Sequence, residues 1–329
     1  MFKIKFEFSF RILRGNIQFN QRDKKGVTSN LIDFIEFCDL YIHQITGQKG
    51  ISTILNYQTA VRSLRKYAQY RDDPFTAMDA NVIQGYQRWL LQKGISLNTV
   101  SCYMRSLRAL YHIAVEKGIL QLNGSFRKVY TGNAKTDKRS VDLEDVRKLK
   151  HLSLKAGSSL EWSRDLFLFS FYALGMPFVD VAFLKWKHIN GDTIQYHRHK
   201  TGQRITIKIE ACMWDILHRL GRHDGEYIFP IITAFDEKEV YLQYKKALNC
   251  YNRCLKKLAK QAGIETKLTS YCVRHTWASV AFQQNIELPV ISKALGHTNP
   301  NTTLVYIKEL DDQRLEEANK QLLKEIDVI

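Results

Sequence analysis

The sequence predicts a mainly α protein with a small antiparallel β-sheet, arranged as an N-terminal helical bundle followed by a larger mixed domain. Three observations carry that expectation. Apolar residues recur at three- and four-residue steps through most of the chain, the period of a half-buried helix. One stretch, "DTIQYHRHKTGQRITIKI" (192–209), alternates instead, with a turn region at Lys200, Thr201, Gly202 and Gln203, and so reads as a hairpin. Between the two regions, residues 121–140 show neither period. A chain of 329 residues, 45% hydrophobic, suits two domains and can fill a core in each.

The elements follow in order. "MFKIKFEFSF" alternates like a strand and lacks the apolar block of a signal peptide, so residues 1–27 are set apart as an extension, strand or arm. Residues 28–120 hold four amphipathic stretches, "TSNLIDFIEFCDLYIHQI", "STILNYQTAVRSLRKYAQY", "DANVIQGYQRWLLQKG" and "NTVSCYMRSLRALYHIAVEKG", enough for a small bundle. Ser29, Ser52, Asp79 and Asn98 are suited to N-cap positions, and Gly94 and Gly118 to stops. Arg62, Arg65 and Lys66 share one helix side, as do Arg105 and Arg108. One charged face is usually only solvated; two basic faces in one bundle point to phosphate contact. Residues 121–140, rich in Gly, Asn, Lys and Thr, read as an exposed linker. The domain at 141–329 predicts helices at 142–151, 159–174 and 177–187, then the hairpin. Further helices follow near 210–220, 238–262, 270–284, 287–295, 299–308 and 310–325.

Charge narrows the partners. There are 49 Lys and Arg against 33 Asp and Glu, a net +16, and the pI is about 9.5. Such an excess favours a polyanion. The stretch from Leu166 to Leu184 has the length to span a bilayer, but it contains Asp180, which would cost about 2.5–3.5 kcal/mol near a bilayer centre. Gly175, Met176 and Pro177 also divide it. Two buried helices with a sharp joint fit better, and a soluble protein without a membrane partner is expected. Six cysteines form no C-x-x-C pair. Cys250 and Cys254 share a helix face and read as ordinary buried thiols of a reducing cytoplasm. His188, His197 and His199 lack the second ligand pair of a zinc site. No Walker-type glycine loop is present. Neither metal nor cofactor is expected.

Three stretches carry chemistry: "HRHKTGQ" in the hairpin, "LTSYCVRHTWAS" (268–279), and "LGHTNPNTTLVY" (295–306). They supply arginines, a lysine, histidines and a late tyrosine, a set suited to attack on a phosphodiester. A phenol titrates near 10 and needs a base or local positive charge to become a nucleophile. Charge growing on phosphoryl oxygens needs fixed cations, and arginine offers a planar fork of donors. Tyr306 sits in an apolar context where tyrosines usually fill cores. Arg274 upstream and His297 nine positions before it weigh the other way.

The C-terminal half resembles the tyrosine site-specific recombinases of the phage-integrase family. "RDLFLFSFYALGMPFVDVAFLKW", "HKTGQ", "TSYCVRHTWAS" and "LGHTNPNTTLVY" fall in that family's order and spacing. The likeness extends to the N-terminal bundle, which resembles the family's SAM-like core-binding domain. The two regions together cover about residues 28–326. The resemblance implies that Tyr306 is the nucleophile, taking the DNA 3′-phosphate, and that Lys200 is the general acid for the leaving 5′-hydroxyl. It implies that Arg274 clamps the scissile phosphate, that His297 bonds the same phosphate or assists proton transfer, and that His275 braces the site. Tyr271 stands where the family usually has a histidine, and can keep a hydrogen bond.

One departure is larger. Where the family places an arginine before the glycine of its first motif, this chain has Leu174, and an aliphatic side chain cannot stabilise a phosphate. Strand alternation would put Arg198 on the same side as Lys200, with His197 and His199 opposite. Arg198 is therefore expected to replace the missing cation, against the simpler reading that it only touches backbone phosphates.

The expected activity is cutting and rejoining of duplex DNA at specific recombination sites through a covalent 3′-phosphotyrosine intermediate, as in integration, excision or inversion of mobile elements. Expected partners are double-stranded DNA gripped in a C-shaped clamp, further copies of the chain as dimer to tetramer on DNA, and accessory DNA-bending proteins. The terminal helix, "LDDQRLEEANKQLLKEIDVI", would dock on a neighbouring protomer, and the expected location is cytoplasmic and nucleoid-associated. Two alternatives stand beside this: a catalytically impaired DNA-binding relative, suggested by Leu174 and Tyr271, and a relaxing type IB topoisomerase with the same chemistry.

Overall fold

Four helices form the first unit: α1 (Leu31–Ile45), α2 (Ile51–Tyr70), α3 (Ala80–Gln92) and α4 (Leu97–Glu116). The computed structural model describes residues 31–70, 78–134, 140–221, 225–297, 301–304, 319–320 and 323–324. The extension at 1–27 and most of the predicted terminal helix lie outside them. The chain divides into two compact units, Met1–Lys135 and Thr136–Ile329.

Each bundle helix buries the face its apolar spacing dictates. On α2 that face is Ile54, Ala60, Val61, Leu64 and Tyr67; on α4 it includes Val100, Met104, Leu107, Tyr111 and Ala114. Fully burying one such large apolar side chain is worth about 1.5–3 kcal/mol. Asp79 caps α3 as expected, its Oδ1 accepting the Val82 N–H at 2.9 Å, a contact worth about 1 kcal/mol. The α4 cap is Ser96, not Asn98, and α2 starts one residue before Ser52. Gly94 and Gly118 follow their helices in the left-handed region, φ 72° and 73°, where glycine alone is unstrained.

The segment after α4 differs from the exposed linker expected at 121–140. Up to Ala134 it packs on the bundle. Leu120 and Phe126 enter the bundle core and Ser125 is fully buried. Its irregular backbone is satisfied by side chains. Asn98 holds Ala134 from both sides, donating to its carbonyl at 3.1 Å and accepting its N–H at 2.8 Å. Asn123 donates to the Met78 carbonyl at 2.7 Å, and Gln87 accepts the Tyr130 N–H at 2.6 Å. A segment tied this way needs no periodicity to be ordered.

The second unit is helical around one sheet. α5 (Leu143–His151) and α6 (Ser159–Tyr172) start at the caps Asp142 and Ser158. α6 buries every residue from Asp165 to Ser170; it is a core helix. Among the described residues no helix is long and apolar enough to cross a membrane. The helix expected at 177–187 ends early, as α7 (Phe178–Ala182). A 3₁₀ turn at Trp186–His188 then leads into β1 (Ile189–Asn190). The predicted hairpin, β2 (Thr193–His197) and β3 (Arg204–Lys208), is thus part of a three-stranded antiparallel sheet ordered β1-β2-β3. Register pairs Ile194 with Ile207, Tyr196 with Ile205 and His197 with Arg204. The isoleucines and Tyr196 face the core.

α8 (Ala211–Leu220), α9 (Glu237–Gln261), α10 (Cys272–Gln283), α11 (Leu288–Leu295) and α12 (Asn301–Leu304) complete the described elements. On α9, Cys254 is buried but Cys250 is exposed, correcting the expectation of two buried thiols. α6, α9 and the sheet enclose the main core, and α10 with α11 adds a smaller cluster of Ala278, Ala281, Ile291 and Leu295. The ends of β2, α7, α10 and α11 supply the cations and acceptors described next.

Candidate active site

The site grows from the C-terminus of α11. The last carbonyls of a helix have no intrahelical partner and carry the negative end of its dipole. Here the Leu295 carbonyl accepts from two guanidinium groups: Arg198 Nη1 at 2.7 Å and Arg274 Nη2. The arginines come from different elements and both are buried, at 8% and 2% exposure. Arg198 Nη1 also reaches the Gly296 carbonyl at 3.4 Å, and Arg274 Nη1 the Gly175 carbonyl at 3.2 Å.

Buried cations need a counter-charge or acceptors. Arg198 has Asp180, on α7, whose Oδ2 lies 3.4 Å from its Nε. The other oxygen accepts the His199 N–H at 2.9 Å, so one carboxylate fixes both the guanidinium and the strand end that carries it. The pairing joins residues 18 positions apart, and nothing in the sequence pattern names Arg198 as the partner of Asp180.

Strand alternation does not reach Lys200. β2 stops at His197, and Arg198 closes a turn, donating its N–H to the Gln203 carbonyl and accepting the Gly202 N–H, both at 2.8 Å. His199 folds back to stack on Phe183, centroids 4.9 Å apart; His197 is exposed. Arg198 and Lys200 are nevertheless brought together. Both line a cavity of about 400 Å³, with Phe178, Tyr271, Gly296 and His297 also on its wall.

Gly296 ends α11 at φ 62°. A Cβ there would lie 2.7 Å from Arg198 Cδ and 2.8 Å from Ile205 Cδ1. The glycine thus serves both backbone conformation and close approach. His297 follows, its N–H held by the Ser292 carbonyl at 3.0 Å. Its ring lies between Arg274, with Nε2 3.3 Å from Nη2, and Thr303, with Nδ1 2.8 Å from Oγ1. Burial first, then the charges of Arg274, Arg198 and Lys200, lower its pKa to about 4, so the ring is neutral at pH 7.

Tyr271 is half exposed at the cavity wall and meets the His275 ring edge-on at 4.9 Å. Leu174 lies in the left-handed region, φ 58°, and packs on the domain core. A buried phenol is a poor nucleophile: Tyr196 and the cavity-lining Tyr244 have pKa values raised by burial first, then by Asp180. Tyr306 lies outside the described residues, just beyond α12.

In the bundle, Arg62, Lys66 and Arg105 are exposed and Arg108 half-buried. Arg65 is ion-paired with Asp39. Arg105 reaches Asn133 Oδ1 at 3.3 Å.

Sequence reading missed Thr303, the Leu295 carbonyl and the link from Asp180 to Arg198. A charged residue in an otherwise apolar run was the signal for Asp180. The backbone acceptor leaves no mark in a sequence.

Comparison with known proteins places the chain in a family. The profile of the phage integrase SAM-like domain matches residues 33–129, and that of the phage integrase family matches residues 139–313. A tyrosine recombinase XerD of Listeria monocytogenes (serotype 4b, strain F2365) is 25% identical over 313 residues, covering 85% of this chain and 96% of the relative. A tyrosine recombinase XerC of Halalkalibacterium halodurans is 22% identical over 270 residues, 79% of this chain and 88% of the relative. Among solved structures, a lambda integrase (75–356) dimer bound to a COC′ core site aligns with TM-score 0.62 at 15% identity, over 82% of this chain and 94% of that one. XerH bound to its difH substrate aligns with TM-score 0.58 at 19% identity, over 87% and 84%. These two likenesses speak for the fold, while the family match spans the residues that gather the cations. The chain belongs to the phage integrase family of tyrosine recombinases.

Proposed function

We infer that the chain is a site-specific DNA recombinase and that Tyr306 is its nucleophile. The phenolic oxygen bonds to the scissile phosphorus as the bond from phosphorus to the 5′-oxygen breaks. Lys200 gives its proton to that leaving oxygen. The phenol's proton goes to a neighbouring acceptor, and neutral His297 offers a lone pair. Rejoining reverses these transfers with a 5′-hydroxyl from the partner strand, so bond energy is kept and no nucleotide is consumed.

The observation that carries this reading is the meeting of Arg198 and Arg274 at the Leu295 carbonyl, beside His297 and the cavity shared with Lys200. Two preorganised guanidinium groups are what a phosphoryl transition state requires. Leu174, half-buried against the core, cannot supply the second; Arg198, from the hairpin, does. This favours an active enzyme over a catalytically impaired DNA-binding relative.

The substrate is duplex DNA carrying the chain's own recombination sites, on which copies of the chain assemble in pairs and tetramers. Arg62, Lys66, Arg105 and Arg108 of the bundle contact backbone phosphates, and the protein acts on nucleoid DNA in the cytoplasm.

Cleavage of a nicked suicide site tests the role of Arg198. Arg198→Ala is expected to lower the rate by about 10²–10³, with folding checked by circular dichroism. A wild-type rate would return Arg198 to the status of a structural ion pair.

A further inference from the structure

α9 brings a second phenol to the reaction cavity. Tyr244 lines its wall together with Arg198, Lys200 and His297. The ring is held by two others, its centroid 6.0 Å from that of Phe178 and 6.0 Å from that of Phe183. Phe178 is itself stacked on buried Tyr251 at 4.8 Å, so the core fixes the ring of Tyr244. The Tyr244 hydroxyl makes no hydrogen bond among the described residues and, unlike the Tyr251 hydroxyl, is not sealed from solvent. A polar group fixed at a cavity wall, with no partner inside the protein, can take one from the substrate. We propose that Tyr244 is a further catalytic residue of the recombinase: its hydroxyl donates a hydrogen bond to a non-bridging oxygen of the scissile phosphate.

This rests on the recombinase reading above and adds to it a donor that carries no charge. Burial first, then the Asp180 carboxylate, raises the Tyr244 pKa above the ordinary phenol value, so the proton stays on the oxygen at neutral pH. A phenol that keeps its proton attacks poorly and donates well, and a hydrogen bond to an ionised acceptor is among the strong ones. The two guanidinium groups spend part of their forks inside the protein. Arg198 serves Asp180 and the Leu295 and Gly296 carbonyls, and Arg274 serves the Gly175 and Leu295 carbonyls. A further fixed donor therefore adds to the stabilisation of charge growing on the phosphoryl oxygens. Being neutral, it does so without the desolvation that another buried cation would cost.

The test compares the wild type with Tyr244→Phe, which keeps the ring and its packing, in single-turnover cleavage of a nicked suicide site. The site is made with an ordinary scissile phosphate and with sulfur in place of either non-bridging oxygen, sulfur being a weak acceptor. On ordinary DNA the variant should be slower by about 10²-fold, the lower end of the range for one preorganised donor removed. That loss should persist on one phosphorothioate isomer and shrink on the other, where sulfur replaces the oxygen that Tyr244 holds. The unfolding midpoint should not move, because no internal hydrogen bond is lost. Equal rates on ordinary DNA overturn the proposal. So does a loss of the same size on both isomers, or a lowered midpoint, either of which would make the hydroxyl structural. A wild type that cuts no site removes the recombinase reading and this contact with it, whereas a cutting wild type matched by its variant removes the contact alone.

Discussion

Arg198 and Asp180 share one buried contact, with side-chain exposures of 9% and 1%. Removing either partner strands the other. Asp180→Ala should cost about 3–5 kcal/mol of stability, the usual scale for a broken buried pair. It should also lower cleavage, because the Arg198 guanidinium loses the anchor that aims it at the cavity. Denaturant unfolding checks the first effect, and an unshifted midpoint would mean the pair is not buried in solution. Arg198→Lys separates charge from geometry. Lysine retains the cation but cannot reach Asp180 and two carbonyls as a fork, so the cleavage rate should stay well below wild type in a chain that still folds.

His297 gives a pH signature. With its pKa lowered from 6.5 to about 4, it stays neutral where a free histidine is charged. Between pH 6.5 and about 4 the unfolded chain binds a proton that the folded site refuses. Its contribution to stability is therefore complete above pH 6.5 and is lost as the pH falls towards 4. An NMR titration should place the His297 midpoint near 4; a midpoint near 6.5 would mean that the ring is not enclosed by Arg274, Arg198 and Lys200.

At the scale of the element, the hairpin end and the α11 terminus must fit each other closely. Gly296→Ala forces a Cβ into Arg198 Cδ and Ile205 Cδ1 at a left-handed φ. The substitution should destabilise by more than about 1 kcal/mol and lower cleavage by shifting Arg198. Unchanged activity would show that Arg198 can move freely. Helices and strands were legible wherever one face is buried, because burial imposes a period; α4, α9 and β2 with β3 follow their sequence patterns closely. The legible part of the site was the set of side chains with distinctive chemistry, Arg274, Lys200 and His297. Arg198 was reached by an alternation rule that fails beyond His197. The turn nevertheless directs both residues to one cavity, since Asp180 holds the His199 N–H and so sets where the chain reverses. Residues 121–134 were misread because their order depends on Asn98, Gln87 and Met78, which are distant in sequence. α7 was overextended because Phe183 and Leu184 continue the apolar run past Ala182, where the helix ends.

For the whole molecule, a net +16 makes affinity salt-dependent. The logarithm of the binding constant should fall with the logarithm of salt at a slope of about −0.9 per phosphate neutralised. Arg62→Ala and Lys66→Ala should each reduce that slope by about one, whereas Arg65→Ala should change it less because Arg65 is already paired with Asp39. Equal slopes for all three would show that the α2 face does not meet DNA.

All of these effects converge on one chemical event, the transfer of a phosphoryl group from DNA to a phenol. Trapping on a nicked site is its most direct measurement: the cut fragment diffuses away and the protein remains bonded to the 3′-phosphate. The wild type should give an adduct that survives denaturation and maps by mass spectrometry to the peptide containing Tyr306, and Tyr306→Phe should give none. An adduct of equal yield from Tyr306→Phe, or one mapped to another tyrosine, would contradict the account.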